Sequence, residues 1–357
     1  MTEELATYKV LGVMSGTSLD GLDLADCHFS LQEGGKWQYA IKAAETLPYT
    51  PEWITKLNKA HTLAHAELAE LDRAYTQWLS KTLGSFIKKQ KDTHFDAVCS
   101  HGHTVLHQPE KGITLQMGNL PTLVEHLPCP AICDFRTQDV ALGGQGAPLV
   151  PVGDQLLFAD YDGCLNLGGF ANLSKMFHTP PMAYDICAFN RILNPLAQQL
   201  GHPYDEEGRL ASKGRLIQPL FDALNQLPFY AQSGPKSLGR EWVEAAVDPL
   251  LNRFSSETVE DLLHTCVHHC AYQIGAHWQR GERVLLSGGG AHNAFFVAVL
   301  ATYSKAHFVL PNDLTINFKE ALVFGFLGVL KMREEINCYA AVTGAQHDHV
   351  AGKIFFP

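Results

Sequence analysis

The sequence predicts an α/β protein of two similar domains, and three observations carry that reading. Apolar runs with strand-like and helical periods follow one another along the chain. A strand, a small-residue turn and a second strand open each half, around residues 8–29 and again at Cys164–Lys175. The length, 357 residues, exceeds one ordinary core and fits about two domains.

Tyr8–Met14 is short and apolar enough for a buried strand, and Leu22–Phe29 alternates as the next. Across them runs GVMSGTSLDGLD, residues 12–23. Gly16 and Gly21 allow a tight turn that aims N–H groups at one point, and Ser15, Thr17 and Ser18 add hydroxyl donors. Donors without bulk suit a polyphosphate. Asp20 and Asp23 would repel a bare phosphate, so a cation such as Mg²⁺ is expected with it. The alternative is an ordinary Gly/Ser hairpin tip.

Tyr39–Thr46 reads as a third strand, after which the period turns helical over Pro51–Leu63 and Ala66–Lys91, with Leu68, Leu71, Ala74, Trp78, Leu79 and Leu83 at helical intervals. Phe95–Ser100 is strand-like and empties into SHGHTVLH, residues 100–107; Leu115–Asn119 ends in a polar turn, and Ala131–Cys133 is a short strand. Residues 134–151 are rich in Gly, Pro and charge without a clear period, as an interdomain crossing or an active-site loop would be. In the second half, CLNLGGFANLSK repeats the hairpin pattern with Gly168 and Gly169 between Asn166 and Asn172. Helices are expected at Asn190–Gly201, around Arg240–Phe254 and at Glu257–Trp278, the last with Val259, Leu262, Leu263, Cys266, Val267, Cys270 and Ile274 on one face. Arg283–Ser287 is a strand feeding GGGAHN, a Gly-rich turn before a helix near Ala294, which suits an anion or a ribose.

Composition narrows the partners. With 46% hydrophobic and 18% charged residues, a compact soluble globule is expected. A formal charge of −10 argues against nucleic acid or an anionic membrane. Nine scattered cysteines, an odd number, point to a reducing compartment, and no apolar run is long enough to span a bilayer, so a cytoplasmic location is expected.

The motifs GVMSGTSLDGLD, SHGHT, TLQMGN, DFRTQDVALGGQGAPLVP, NLGGFAN, GPKSLGRE, SGGGAHN, KEALVFGFLG and VTGA occur in order from residue 12 to residue 345. Together they resemble the 1,6-anhydro-N-acetylmuramate kinase family, which has the actin-like fold of sugar kinases. The resemblance implies two domains, each a mixed five-stranded sheet with flanking helices, around a central cleft that takes ATP with Mg²⁺. Domain I is expected over 1–136, with 340–357 returning to it, and domain II over 137–339. It implies that ATP and water convert 1,6-anhydro-N-acetylmuramate to N-acetylmuramate 6-phosphate and ADP, in cell-wall recycling. A homodimer is common among such enzymes.

By the same resemblance, Gly16, Thr17, Ser18, Asp20, Gly21 and Asp23 match a first phosphate loop, and Gly168, Gly169 and Asn172 a second. Gly288, Gly289, Gly290 and Asn293 match the nucleoside side, while His101, Gly102, His103, Gln116, Gly118, Asn119, Arg136 and Asp139 resemble the sugar pocket. The family's catalytic aspartate opens Asp-Thr-Gly-Pro-Gly-Asn; here Asp185 and Asn190 keep that spacing, but Ile186, Cys187, Ala188 and Phe189 differ, adding bulk expected near the sugar. His103 stands where the family usually has Gln, and Leu238 where it has Thr.

Asp185 is the expected general base, because water must lose a proton as it attacks the anomeric carbon; otherwise it reads as a helix cap. The changed segment leaves open a member acting on another sugar, or a non-catalytic nucleotide clamp. His101, His103 and His107 also suggest a His-ligated metal hydrolase, but no second acidic cluster follows to complete a metal site. His264, Cys266, His268, His269 and Cys270 fit an ordinary helix, with the cysteines on its core face.

Overall fold

The computed structural model describes residues 4–16, 19–90, 94–178, 181–234 and 236–357, and the chain forms two compact units, 1–157 with 318–357 and 158–317. In chain order, unit 1 starts with β1 (Glu4–Ser15), β2 (Gly21–Gln32), β3 (Trp37–Pro48), α1 (Pro51–Lys59) and α2 (His65–Lys89). β4 (Ala97–Gln108), β5 (Ile113–Met117), β6 (Ala131–Cys133), α3 (Thr137–Ala141) and α4 (Val150–Leu157) follow. Unit 2 holds β7 (Gly163–Leu167), β8 (Phe170–Lys175), β9 (Met182–Ala188), α5 (Asn190–Gln199) and α6 (Gln218–Asn225). Next come α7 (Arg240–Trp242), α8 (Asp248–Arg253), α9 (Val259–Gly275), β10 (Arg283–Ser287), α10 (Ala294–Tyr303) and β11 (His307–Val309). α11 (Asp313–Met332) begins in unit 2 and passes into unit 1, which α12 (Ala340–Thr343) and β12 (Lys353–Phe355) complete.

Both sheets follow one path. In unit 1, β1, β2 and β3 form an antiparallel meander, and β4 and then β6 add parallel on the other side of β1. In unit 2, β7, β8 and β9 form the meander, with β10 and β11 parallel beyond β7. The architectural repeat expected from two Gly-turn hairpins is therefore a repeat of topology. Unit 2 has the expected five strands; in unit 1, β5 and β12 widen the sheet to seven.

Alternation along β1 fixes what covers each face. Leu11 and Val13 join a buried cluster with Tyr75, Leu79 and Leu83 of α2. Gly12 turns the other way, where a Cβ would collide with the Ala321 carbonyl, so α11 lies directly on the strand there. Gly328 repeats this close approach against Cys99 of β4, and Phe326 packs 5.2 Å from Phe29 and 5.1 Å from Trp37. In unit 2, Leu262, Leu263, Cys266, Val267, Cys270 and Ile274 of α9 pack with Leu165, Leu167 and Ile186.

Several expectations shift. β4 runs on through SHGHTVLH instead of ending at Ser100, and β9 is a strand where the sequence reading places none. Residues 134–151 contain α3 and the start of α4 and stay with unit 1, because Gln145 donates to the Thr343 carbonyl at 2.8 Å. The unit borders therefore lie at 157/158 and 317/318, not at 136/137 and 339/340. The second border falls at a break inside α11, where Phe318 has φ −117° and ψ 16°.

Gly12→Ala drives a methyl group into the backbone of α11, and a loss of about 3 kcal/mol or more is expected. Gly169→Ala, whose Cβ would meet nothing within 4 Å, is the control, expected within about 0.5 kcal/mol of the parent. Urea unfolding checks both. Equal midpoints for Gly12→Ala and the parent would mean that α11 is not seated on β1.

Candidate functional site

In unit 1 the first hairpin turns where expected, with Leu19 at φ 62° and its N–H 3.4 Å from the Gly16 carbonyl. Thr17 and Ser18 lie outside the described residues. Gly21 is buried against Leu47 of β3, so it serves the pairing of β2 with β3. Asp20 is exposed beyond the tip. Asp23 accepts the Thr46 hydroxyl at 2.6 Å; burial and the neighbouring Asp20 raise its carboxyl above the usual range against that hydrogen bond.

Beneath the tip runs a buried chain of polar side chains. Ser15 Oγ lies 2.8 Å from His103 Nδ1 and 2.6 Å from the Tyr49 hydroxyl, which lies 2.7 Å from that of Tyr75. Burial lowers His103 to about 4, so it is a neutral ring near neutral pH. The same strand carries His101, fully enclosed, whose Nε2 accepts from Arg136 Nε at 2.9 Å while Nδ1 faces the Gly102 carbonyl at 2.8 Å. An acceptor at Nε2 and a carbonyl at Nδ1 fix the neutral tautomer with hydrogen on Nδ1. Burial and then the Arg136 charge push His101 well below its ordinary pKa.

Arg136 also donates to the Gly146 carbonyl at 2.6 Å, and burial lowers it to about 10, offset in part by Glu320 and Asp139. Gln116 is buried and donates to Thr114 at 2.9 Å; Gly118 donates to the carboxylate of Asp72, also at 2.9 Å. Asn119 donates to the Gln116 carbonyl at 3.1 Å, and its Oδ1 has no partner among the described residues. Asp139 has no exposed surface, and its carboxylate accepts from Gly146 N–H and from the Thr343 hydroxyl, each at 2.6 Å, so it braces the loop around Gly146.

In unit 2 the tip Gly168–Gly169 holds the start of α5: Phe189 and Arg191 donate to the Gly169 carbonyl and Asn190 to that of Gly168. Asn172 pairs with Asp185 across β8 and β9. Asp185 is thus a strand residue, not a helix cap. Its Oδ2 accepts from the Leu238 N–H at 2.8 Å and the Ser237 hydroxyl at 3.3 Å, while Oδ1 takes no bond among the described residues. Burial raises its carboxyl pKa and those two donors oppose the rise. The bulk of Cys187 and Phe189 is expected near the sugar, yet both, with Ile186, are fully buried in the unit 2 core. Phe189 packs edge-on, 4.6 Å from Phe296, beneath Gly290, where a Cβ would strike its ring.

Gly288 has φ 79° and begins the turn Gly289–His292. Asn293 caps α10, its Oδ1 accepting the Phe296 N–H at 2.9 Å. The histidines of α9 behave as helix residues: His264 and His268 stack 4.6 Å apart, and Cys266 and Cys270 are in the core.

Sequence reasoning missed Glu320, which stands beside Arg136, Asp23 and Lys319 in unit 1. Its side chain is exposed, but the protein mass around it raises its carboxyl, while Arg136 and then Lys319 pull the other way. Its signal was the KEALVFGFLG motif, read only as a marker of resemblance. Tyr49, Tyr75 and Asp72 carried no signal; polar contacts from distant elements link Tyr49 and Tyr75 to Ser15, and Asp72 to Gly118.

Comparison with known proteins follows the same lines. The family described as "Anhydro-N-acetylmuramic acid kinase" matches residues 8–357. The protein of that name from Pseudomonas putida KT2440 is 34% identical over 97% of this chain and 98% of its own length. Those from Neisseria meningitidis 053442 and Chromobacterium violaceum are each 32% identical, over 99% and 98% of this chain and 100% and 99% of their own lengths. Among solved structures, the activator of 2-hydroxyisocaproyl-CoA dehydratase from Clostridium difficile with bound ADPNP aligns at TM-score 0.40 and 15% identity, over 91% of this chain and 97% of that one. Among the described residues no helix is long and apolar enough to cross a membrane.

A lowered histidine costs stability in acid. An unfolded imidazole titrates near 6.5 and the folded His103 at about 4, so between these values only the unfolded chain binds the proton. Stability is full above about pH 6.5 and falls toward about pH 4, by about 3 kcal/mol for this residue. His269, at about 3, and His277, at about 4, add to the slope. In urea titrations across that range, His103→Gln should flatten the pH dependence; an unchanged slope would sink the assignment.

Proposed function

Because the chain belongs to the anhydro-N-acetylmuramic acid kinase family, we propose that it opens the anhydro bridge of 1,6-anhydro-N-acetylmuramate with water and phosphorylates the freed O6 from ATP. It is an ATP-dependent kinase of peptidoglycan recycling. The family match does not favour the nucleotide-clamp or metal-hydrolase readings.

The observation that carries the mechanism is Asp185, a carboxylate held through Oδ2 with Oδ1 left unbonded among the described residues. Such a group is oriented by one oxygen and basic at the other, and its raised pKa strengthens it as a base. Asp185 takes a proton from water as the water oxygen bonds to the anomeric carbon. The bond from that carbon to the bridging oxygen breaks, and this oxygen, now O6, takes the γ-phosphoryl group as ADP leaves. The proton on Asp185 passes to solvent.

Gly16, Thr17, Ser18 and Gly21, with Gly168, Gly169 and Asn172, are the proposed phosphate contacts, and Gly288, Gly289, Gly290 and Asn293 those of the nucleoside. His101, Gly102, His103, Gln116, Gly118, Asn119 and Arg136 are proposed for the sugar. The hydrogen bonds of Arg136 to His101 and Gly146 support its part, since they hold its guanidinium in place before any ligand arrives. Asp20 and Asp23, oxygen donors of which Asp23 is raised by burial and then by Asp20, fit a hard cation and would hold the Mg²⁺ of ATP. Once bound, that ion would offset phosphate charge.

Mass spectrometry after turnover in ¹⁸O-labelled water tests the reading. The product should carry both one phosphate and one labelled oxygen; phosphorylation without label would remove hydrolytic opening. Asp185→Asn should keep ATP affinity nearly intact while turnover falls roughly a hundredfold to ten-thousandfold. Wild-type turnover in that variant would take Asp185 out of the mechanism.

A further inference from the structure

Where α3 meets the segment 338–349 of unit 1, Asp139, Cys338 and His349 bring one ligand-type atom each to within 4.8 Å of one another, and all three residues are buried. Cys338 Sγ lies 3.2 Å from Asp139 Oδ1, and His349 Nε2 lies 3.6 Å from the same oxygen. The other polar atoms of the cluster are tied down. Asp139 Oδ2 accepts the Gly146 N–H, the Thr343 hydroxyl donates to Oδ1, and His349 Nδ1 lies 3.2 Å from the His347 carbonyl.

A carbonyl only accepts, so Nδ1 carries the hydrogen and a neutral His349 ring points its Nε2 lone pair at a carboxylate oxygen. Nε2 is buried without a hydrogen-bond partner among the described residues. A cation between the two groups would take up both lone pairs.

Chemistry and spacing favour the cation. Imidazole, thiolate and carboxylate form a common Zn²⁺ ligand set, and at bond lengths of about 2.0–2.3 Å tetrahedral neighbours stand roughly 3.3–3.7 Å apart. The bonds from Gly146, Thr343 and His347 are the outer-shell contacts that orient such ligands. Thiolate and carboxylate together cancel the dication, which leaves a neutral group inside the protein. The Cys338 thiol, whose pKa burial and Asp139 raise, gives its proton to solvent as the ion binds.

We propose that Asp139, Cys338 and His349 form a zinc site that clasps the loop through Gly146 to the C-terminal segment, with water in the fourth position. The site braces the loop whose Gly146 carbonyl accepts from Arg136.

The test uses the full chain, stripped with a chelator and titrated with Co²⁺ in the absence of nucleotide. One equivalent should bring in thiolate-to-cobalt charge-transfer absorption and the strong visible bands of a tetrahedral ion, and Zn²⁺ should bleach both. Zn²⁺ should raise the thermal midpoint of the parent but not of Cys338→Ser, in which the charge-transfer band disappears. Absence of the band from the wild-type chain overturns the site whatever the variants do. A band surviving in Cys338→Ser overturns it as well, since the thiolate would then be another cysteine's.

Discussion

Two backbones can lie against each other only where no side chain separates them, and in unit 1 that condition is met where α11 crosses β1 at Gly12. The close approach lets Phe324 and Phe326 reach rings on the sheet side, including His101 at 4.6 Å and Phe135 at 5.6 Å. It also brings Glu320, one residue before the contact at Ala321, beside Arg136 and Asp23. The position of His101 thus depends on the helix as well as on its strand. The charged groups of unit 1 are arranged by a packing contact that itself involves no charge.

Much of the architecture was legible because it is local. Gly-turn hairpins, the apolar stripe of α9 and the strand before GGGAHN each announce themselves within a dozen residues. β9 did not, since Tyr184 and Asp185 interrupt its apolar run and its true neighbours, Asn172 on β8 and Leu238 beyond it, come from elsewhere in the chain. Motif order named the segments around the site better than it named their roles. Asp139 illustrates the gap, because the hydroxyl that occupies it comes from Thr343, 204 residues downstream, and no local pattern encodes such a partner.

The segment after Asp185 separates sequence change from site change. Ile186, Cys187, Ala188 and Phe189 differ from the family pattern at four successive positions, yet their side chains lie in the core of unit 2. Phe189 fills space under Gly290 and against Phe296, so its bulk is absorbed by packing while the backbone still presents Asp185 to Leu238.

Unit 1 is made of two stretches of chain with all of 158–317 between them. During synthesis, β1 and β4 leave the ribosome early, but the helix that covers Gly12 and the strand that borders β6 come last. At about 5–20 residues per second, the sheet waits on the order of ten to forty seconds for its cover. Unit 2, contiguous in sequence, has no such wait. The unit begun second is therefore the first that can finish folding, and the apolar surface in need of protection meanwhile is the one that will carry the arginine and the histidines.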